Sequence, residues 1–294
     1  MGGRKIAFLG TGLMGAPMVR RLLAAGFAVT AWNRDRSKAE PLAADGAIVA
    51  DTAAEAARGT SVLFTMLTNG GAVGEVLFGS GVADALEIGA VVIDNSSIPP
   101  ATAREHSFKL AERGIRHIDA PVSGGVVGAE AGTLAIMVGG DADVIDSVRD
   151  VMAPLGRVTR VGPSGTGQLA KLGNQQIVAV TIGAVAEAML LVEAGGGSRE
   201  AFRNAIRGGF AESRILELHG QRMIERSFEP GGTARIQLKD LDMILATASG
   251  LSLQLPLTET VRAEFAEFVE NGGGELDHSA LLQHLEDKNA RGKA

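Results

Sequence analysis

The sequence predicts an α/β domain built on a parallel sheet, followed by an all-helical domain. Three observations predict it. From residue 5 to about residue 161, short apolar runs alternate with helical patterns, as in successive βαβ units. The first run ends in a glycine-rich turn that opens a helix. Beyond residue 161 the pattern is helix and turn only. The chain therefore divides into 1–161 and 162–294.

The 294 residues suit roughly two domains, and 46% hydrophobic with 21% charged residues is globular composition. A net charge of −6 argues against a nucleic-acid partner, which needs a basic surface. The absence of cysteine excludes disulfides, thiolate nucleophiles and cysteine-ligated metals. His106, His117, His219, His278 and His284 are scattered, with no metal-ligand spacing. The first apolar run is too short for a signal peptide. The longest, residues 177–192, is interrupted by Glu187 and rich in Ala and Gly, so it reads as a buried helix and not a membrane span. The expected location is cytoplasmic.

Residues 5–9 form a strand pattern and are followed by Gly10-Thr11-Gly12-Leu13-Met14-Gly15. A helical pattern at 16–25 stops at Gly26, and 27–32 is a second strand. Strand, G-x-G-x-x-G, helix and strand within about 30 residues is the context a dinucleotide fingerprint requires, and it marks a Rossmann-type domain. The glycines permit a tight turn and close approach of backbone to a pyrophosphate at the helix N-terminus. An acidic residue at the end of the second strand would select NAD. Asn33 and Arg34 stand there instead, and arginine can pair with a 2′-phosphate, so NADP is expected, with NAD possible.

Further strand patterns cover 61–67, 90–94, 116–120, 134–138 and 158–161, with helices at 52–58, capped by Thr52, and at 141–152. In a parallel sheet the strand ends face the cofactor, which brings Ser96 and Ser97 toward the nicotinamide half. Ser123-Gly124-Gly125 offers a hydroxyl and accessible N–H groups suited to a carboxylate. A long helix is expected at about 165–193. On it Gly167, Lys171 and Asn174 share one face. Lys171 there either snorkels to solvent or points into a cleft, and Gly165 and Gly167 leave room for something to approach the backbone. Four more helices follow, at 199–207, 212–224, 236–249 and 257–270, and the polar tail 288–294 is expected to fray. Lys239 lies near the N-terminal turn of one of them, where it opposes the helix dipole; it meets either a ligand or Asp240 or Asp242.

Four segments together resemble the β-hydroxyacid dehydrogenases: residues 10–18, Asp119-Ala120-Pro121-Val122-Ser123-Gly124-Gly125, residues 165–174, and Lys239-Asp240-Leu241. The likeness spans nearly the whole chain in order. It implies a Rossmann domain, an interdomain helix and an all-α C-terminal domain. It implies Lys171 as catalytic acid/base, Asn174 on the substrate, and Ser123, Gly124 and Gly125 on the substrate carboxylate. It places Gly10, Thr11, Gly12, Leu13, Met14, Gly15, Asn33, Arg34, Leu67, Thr68, Ser97 and Lys239 on the cofactor. Two positions depart from the family pattern: Thr11 where leucine is usual, and Thr68 where proline is usual. Asp277-His278-Ser279-Ala280-Leu281 looks most like the tartronate semialdehyde (2-hydroxy-3-oxopropionate) reductases of the family.

The expected substrate is thus a small semialdehyde acid or the matching 3-hydroxy acid, handled by a homodimer or homotetramer, with no metal, nucleic acid or membrane. The alternatives within the family are 3-hydroxyisobutyrate dehydrogenase and glyoxylate or succinic semialdehyde reductase. Imine reductases resemble the architecture but lack the lysine, and 6-phosphogluconate dehydrogenases carry His-Asn after it where this chain has Asn174-Gln175-Gln176. From another class, the chain could be a non-catalytic nucleotide-sensing module.

Overall fold

The computed structural model describes residues 4–291, in two compact units, Met1–Lys171 and Leu172–Ala294. The first unit runs β1 (Lys5–Leu9), α1 (Gly15–Ala24), β2 (Ala28–Trp32), β3 (Ile48–Val49), α2 (Ala53–Ala57), β4 (Val62–Thr65), α3 (Gly70–Gly74), α4 (Val82–Ala85), β5 (Val91–Asp94), α5 (Pro100–Ala111), β6 (Arg116–Asp119), β7 (Val122–Ser123), α6 (Gly125–Ala131), β8 (Leu134–Gly139), α7 (Ala142–Ser147), α8 (Arg149–Met152) and β9 (Gly156–Gly162). Helix α9 (Thr166–Ala194) carries the chain onward into α10 (Arg199–Ala205), α11 (Arg214–Glu225), α12 (Ala234–Gly250), α13 (Pro256–Glu270) and α14 (Leu281–Arg291).

Among the described residues, one sheet has the order β3-β2-β1-β4-β5-β6-β8-β7, with β9 also paired to β8. Pairings from β3 to β6 are parallel, in agreement with the α/β reading. The far edge differs: β8 runs antiparallel to β6 and β7 and parallel to β9. Only Ala120 and Pro121 separate β6 from β7, so the chain keeps its direction and β8 must return against both. The helix expected at 141–152 is split at Val148 into α7 and α8.

The central strands are buried on both faces, which is why they read as unbroken apolar runs. Ile6, Phe8, Phe64 and Ile93 enter one core layer, and Ala7, Leu9, Leu63 and Val92 the other. Phe8 and Phe64, register partners on β1 and β4, stack at 5.5 Å. Thr52 caps α2 as expected, its side chain accepting from Glu55 N.

The second unit is helical throughout, around a core that includes Leu172, Ile182, Met189, Leu241 and Phe265. Ser198, Ser213 and Thr233 cap α10, α11 and α12, each accepting a backbone N–H three residues on. Residues 281–291, part of them expected as a fraying tail, form α14; the last of that tail, 292–294, lies outside the described residues. By length and hydropathy α9 could cross a membrane, yet one face of it, through Ala179, Ile182, Val185, Ala186 and Met189, is packed into this core. Its burial is one-sided: Ile177 is 67% and Leu191 75% exposed.

Two carboxylates stand side by side at the ends of β5 and β6, where Asp94 pairs in register with Asp119. Burial pushes both up to about 6 against an unperturbed 3.8. For Asp94, hydrogen bonds from Ser96 and Thr65 oppose the shift, and Oδ2 is buried with no partner among the described residues. Between about pH 4 and 6 the folded chain therefore holds protons that the unfolded chain releases, so these groups lower stability as pH rises through that window. Asp94→Asn should remove the share of this slope that Asp94 carries, whatever the buried histidines add in the opposite sense: the urea midpoint of the variant relative to the wild type should rise between about pH 5 and pH 7.

Candidate active site

The glycine-rich turn is held from both sides. Gly10 N donates to Trp32 O at 2.8 Å. Gly10 has φ +103°, and a Cβ there would collide with Met66 O. A Cβ on Gly15 would collide with Gly10 O. These two glycines are required by the fold. Gly12 is of another kind: it has no left-handed φ, and a Cβ would meet nothing within 4 Å. Its open face leaves the backbone approachable, and this fits a bound pyrophosphate. Leu13 is 84% exposed, while Met14 packs against the core.

Asn33 has a bracing task that sequence spacing did not reveal. Its Oδ1 accepts from Thr11 N at 3.0 Å, and its Nδ2 donates to Asp35 O at 2.9 Å. Thr11 is buried, and its hydroxyl has no partner among the described residues. Arg36 is engaged by Glu40 and Asp51. Arg34 is exposed, and among the described residues no ion pair holds it.

At the ends of β4 and β5, Asp94 Oδ1 accepts from Thr65 Oγ1 at 2.8 Å and from Ser96 N at 2.9 Å. Ser96 Oγ in turn accepts from Leu67 N at 2.9 Å. Ser96 is thus a fully buried brace between the two strand ends. Ser97 is half-buried and Thr68 exposed. Ser123 ends β7 half-buried, followed by exposed Gly124 and Gly125 with φ +139° and +63°. A Cβ on Gly125 would meet nothing, so this turn presents a hydroxyl and open backbone.

The start of α9 is built around Asp119. Its Oδ1 accepts from Gly165 N at 2.7 Å and its Oδ2 from Gln168 N at 2.9 Å. The carboxylate thereby satisfies donors that a helix N-terminus leaves unpaired, and it meets the positive end of the helix dipole. Burial raises its pKa to about 6, and these backbone bonds work against that rise. The space at Gly165 and Gly167, expected to admit a ligand, is filled by the protein. A Cβ on Gly165 would lie 2.9 Å from Arg104 Nε, and one on Gly167 2.5 Å from the Asp119 and Met137 carbonyls. Gln168 is buried; its Oε1 accepts from Ile98 N at 3.1 Å and its Nε2 donates to Ser96 O at 2.7 Å. Lys171, half-buried, follows one turn later.

In the second unit Asn174 is half-buried, and its Nδ2 donates to Gln175 Oε1 at 2.9 Å. Gln175 Nε2 donates to Asp240 Oδ2 at 2.7 Å, and Lys239 Nζ lies 3.2 Å from Asp240 Oδ1. Lys239 thus has the acidic neighbour expected of it. It sits in the second turn of α12.

The histidines are less scattered than their spacing suggests. The His219 and His278 rings meet edge-on at 4.5 Å beside buried Asp277. Burial opposes the charge of Asp277, but contacts from His219 and Ser279 hold its carboxyl well below the usual range. Arg222 Nη1 reaches Asp277 Oδ2 at 2.6 Å, and Gly231 N donates to the same oxygen at 3.0 Å. With a guanidinium already on the carboxylate, this cluster is an ion-paired node that ties the loop before α12 to the segment before α14.

Comparison with known proteins agrees with this layout. Residues 5–162 match the NAD binding domain of 6-phosphogluconate dehydrogenase, and residues 165–285 the NAD-binding domain of NADP-dependent 3-hydroxyisobutyrate dehydrogenase. The chain is 42% identical over 284 residues to 2-hydroxy-3-oxopropionate reductase of Escherichia coli, covering 96% of this chain and 97% of that one. It is 33% identical to an NAD-dependent L-serine dehydrogenase of Pseudomonas aeruginosa, covering 97% and 98%. The structure of Mycobacterium tuberculosis 3-hydroxyisobutyrate dehydrogenase with L-serine superimposes with a TM-score of 0.89 at 33% identity, over 96% of this chain and 99% of that one. The chain belongs to the β-hydroxyacid dehydrogenase family and is an NAD(P)-dependent oxidoreductase.

Proposed function

We propose that the protein reduces a small semialdehyde acid, 2-hydroxy-3-oxopropionate (tartronate semialdehyde) first among them, with NADPH as the preferred cofactor. The observation that carries this reading is the 42% identity to 2-hydroxy-3-oxopropionate reductase over nearly the full length of both chains. The Ser123 hydroxyl and the N–H groups of Gly124 and Gly125 hold the substrate carboxylate. Lys171 donates a proton to the oxygen of the carbonyl under reduction and stabilises the negative charge developing there. Asn174 orients the substrate, steadied by Gln175. When bound, the nicotinamide supplies the hydride.

The turn from Gly10 to Gly15, with Thr11, Leu13 and Met14, cradles the pyrophosphate, and Gly12 is its open point. Asn33 keeps that turn in place, and Arg34 takes the 2′-phosphate. Leu67, Thr68, Ser97 and Lys239 serve the cofactor side. On this reading residues 1–161 bind the dinucleotide and 162–294 form the helical domain, acting in the cytoplasm. The exposed apolar stripe on α9, with Ile177, Ala184 and Leu191, supports a homo-oligomer in which a second copy covers it.

A screen of NADPH oxidation over tartronate semialdehyde, methylmalonate semialdehyde, succinic semialdehyde and glyoxylate, with glycerate and L-serine tested separately for NADP+ reduction, identifies the substrate. Tartronate semialdehyde should give the highest kcat/KM; a different leader reassigns the substrate. On the best substrate, Lys171→Ala should lower kcat by ~10²–10⁴ with NADPH affinity nearly unchanged. Lys171→Arg should not restore it, whereas Asn174→Ala should act more through KM. A Lys171→Ala rate within about threefold of wild type would remove the lysine from the mechanism. Arg34→Ala should weaken NADPH by ~10–100-fold and NADH far less, because a charge-assisted contact is lost from one cofactor only. Equal effects would refute the phosphate assignment. Light scattering at micromolar concentration should report at least a dimer, and a monomer would contradict the covered stripe.

A further inference from the structure

Gln168 joins three pieces of the first unit. Its backbone N–H donates to Asp119 Oδ2 on β6. Its carboxamide uses both ends on the loop after β5, accepting from Ile98 N and donating to Ser96 O, across 70 and 72 sequence positions. The residue is 1% exposed, so all of these bonds form away from water. A helix start packed in a core needs no amide there; an apolar side chain of the same length would fill the space. A buried amide bonded at both its oxygen and its nitrogen does something packing cannot, because it favours one arrangement and penalises others. Lys171 follows at i+3, on the same side of α9, and Ser97 lies between the two clamped residues.

Taking Lys171 as the proton donor proposed above, we infer that Gln168 is a positioning residue for it: by clamping the backbone of residues 96–98 to the first turn of α9, it fixes the register between Lys171 and the Ser97 loop. Proton transfer is steep in distance, and a misplacement of ~1 Å can cost ~10²-fold in rate. The clamp does not touch substrate or cofactor. It acts by holding the helix turn that carries the lysine.

The test uses the full chain and whichever carbonyl acid in the screen turns over fastest. Gln168→Met keeps length and removes both bonds. It should lower kcat by ~10–100-fold while NADPH Kd stays within about threefold. The amide of Ile98 should lose hydrogen-exchange protection in the same variant. The decisive comparison is with Lys171→Ala: added to that background, Gln168→Met should change the residual rate by less than about twofold, because the group it positions is gone. Losses that multiply in the double variant, a wild-type kcat in Gln168→Met, a loss confined to NADPH Kd, or unchanged exchange at Ile98 would each overturn the clamp.

Gln168→Glu is the second variant, and it stands should the methionine form not fold. It keeps the acceptor for Ile98 N but turns an oxygen against the Ser96 carbonyl until protonation restores a donor. Among the described residues the ionisable groups around it are Asp119 on β6, Asp94 at the end of β5, Arg104 on α5 beside Gly165, and Lys171 on α9; the two buried carboxylates favour the protonated form against the two cations, which are exposed or half-buried. Its kcat deficit, taken against wild type at each pH, should shrink between about pH 8 and pH 6. A deficit independent of pH would refute the clamp. Failure of the functional reading looks different: Lys171→Ala would then keep wild-type rate whatever Gln168 does. A slow Lys171→Ala beside a fast Gln168→Met sinks the clamp alone.

Discussion

The contact on which the rest depends is that between the Asp119 carboxylate and the start of α9. A buried carboxylate is costly unless donors surround it. Here the donors are the Gly165 and Gln168 amides, which the helix would otherwise leave unpaired. Each side thus removes the other's penalty. The contact also dictates residues elsewhere. A Cβ on Gly139 would lie 2.6 Å from Asp119 Oδ1, and one on Gly167 2.8 Å from Oδ2. Both positions are held to glycine by this side chain together with the backbone around it, the Gly167 amide for Gly139 and the Asp119 and Met137 carbonyls for Gly167. The nearby Asp94 shows the contrast: among the described residues one of its oxygens takes two hydrogen bonds and the other takes none. Two adjacent buried carboxylates therefore differ in what they do, one anchoring a helix and the other tying strand ends through Thr65 and Ser96.

The glycines of the first turn divide along the same line. Gly10 and Gly15 are needed because protein atoms occupy the place of a side chain, and Gly12 because nothing does. A motif of three equal letters contains two physical kinds. The first kind is a property of folding. The second leaves the backbone approachable from outside the chain. The same test separates Gly125, which is open, from Gly165, which is crowded by Arg104 and Pro100. It supports reading Ser123-Gly124-Gly125 as facing a ligand, and it turns the two glycines before Lys171 into packing residues.

What could be read from the sequence was what is local. Apolar runs buried on two faces announced β1, β4 and β5, and the Thr52 cap and the Gly26 stop marked two helix ends. Helix α5 escaped because its buried side includes His106 beside Ala103 and Leu110, which breaks the apolar period. Helix α14 was read partly as tail because it is polar over most of its length, although Leu281, Leu282 and Leu285 are buried. The polar braces were invisible for another reason. Gln168 meets Ser96, Asn33 meets Thr11, and His219 meets His278 only after strands and helices are placed, so no spacing along the chain encodes them. Sequence reasoning located the residues expected to do chemistry and overlooked those that hold them. The first kind sit in recognisable local patterns, whereas the second are ordinary glutamines and asparagines distinguished only by burial.

Lys171 and Asn174 illustrate what the fold gains from this arrangement. They fall in different compact units, yet both ride on α9. Three residues apart on one helix, they are separated by ~4.5 Å of rise, a spacing set by backbone hydrogen bonds. Each is also steadied by its own unit. Gln168 and Asp119 secure the turn before Lys171, and Gln175, bonded to buried Asp240, secures Asn174. In the roles proposed for them, a proton donor and a substrate-orienting amide on separate elements would inherit every motion of those elements; on one helix the two groups inherit only its stiffness.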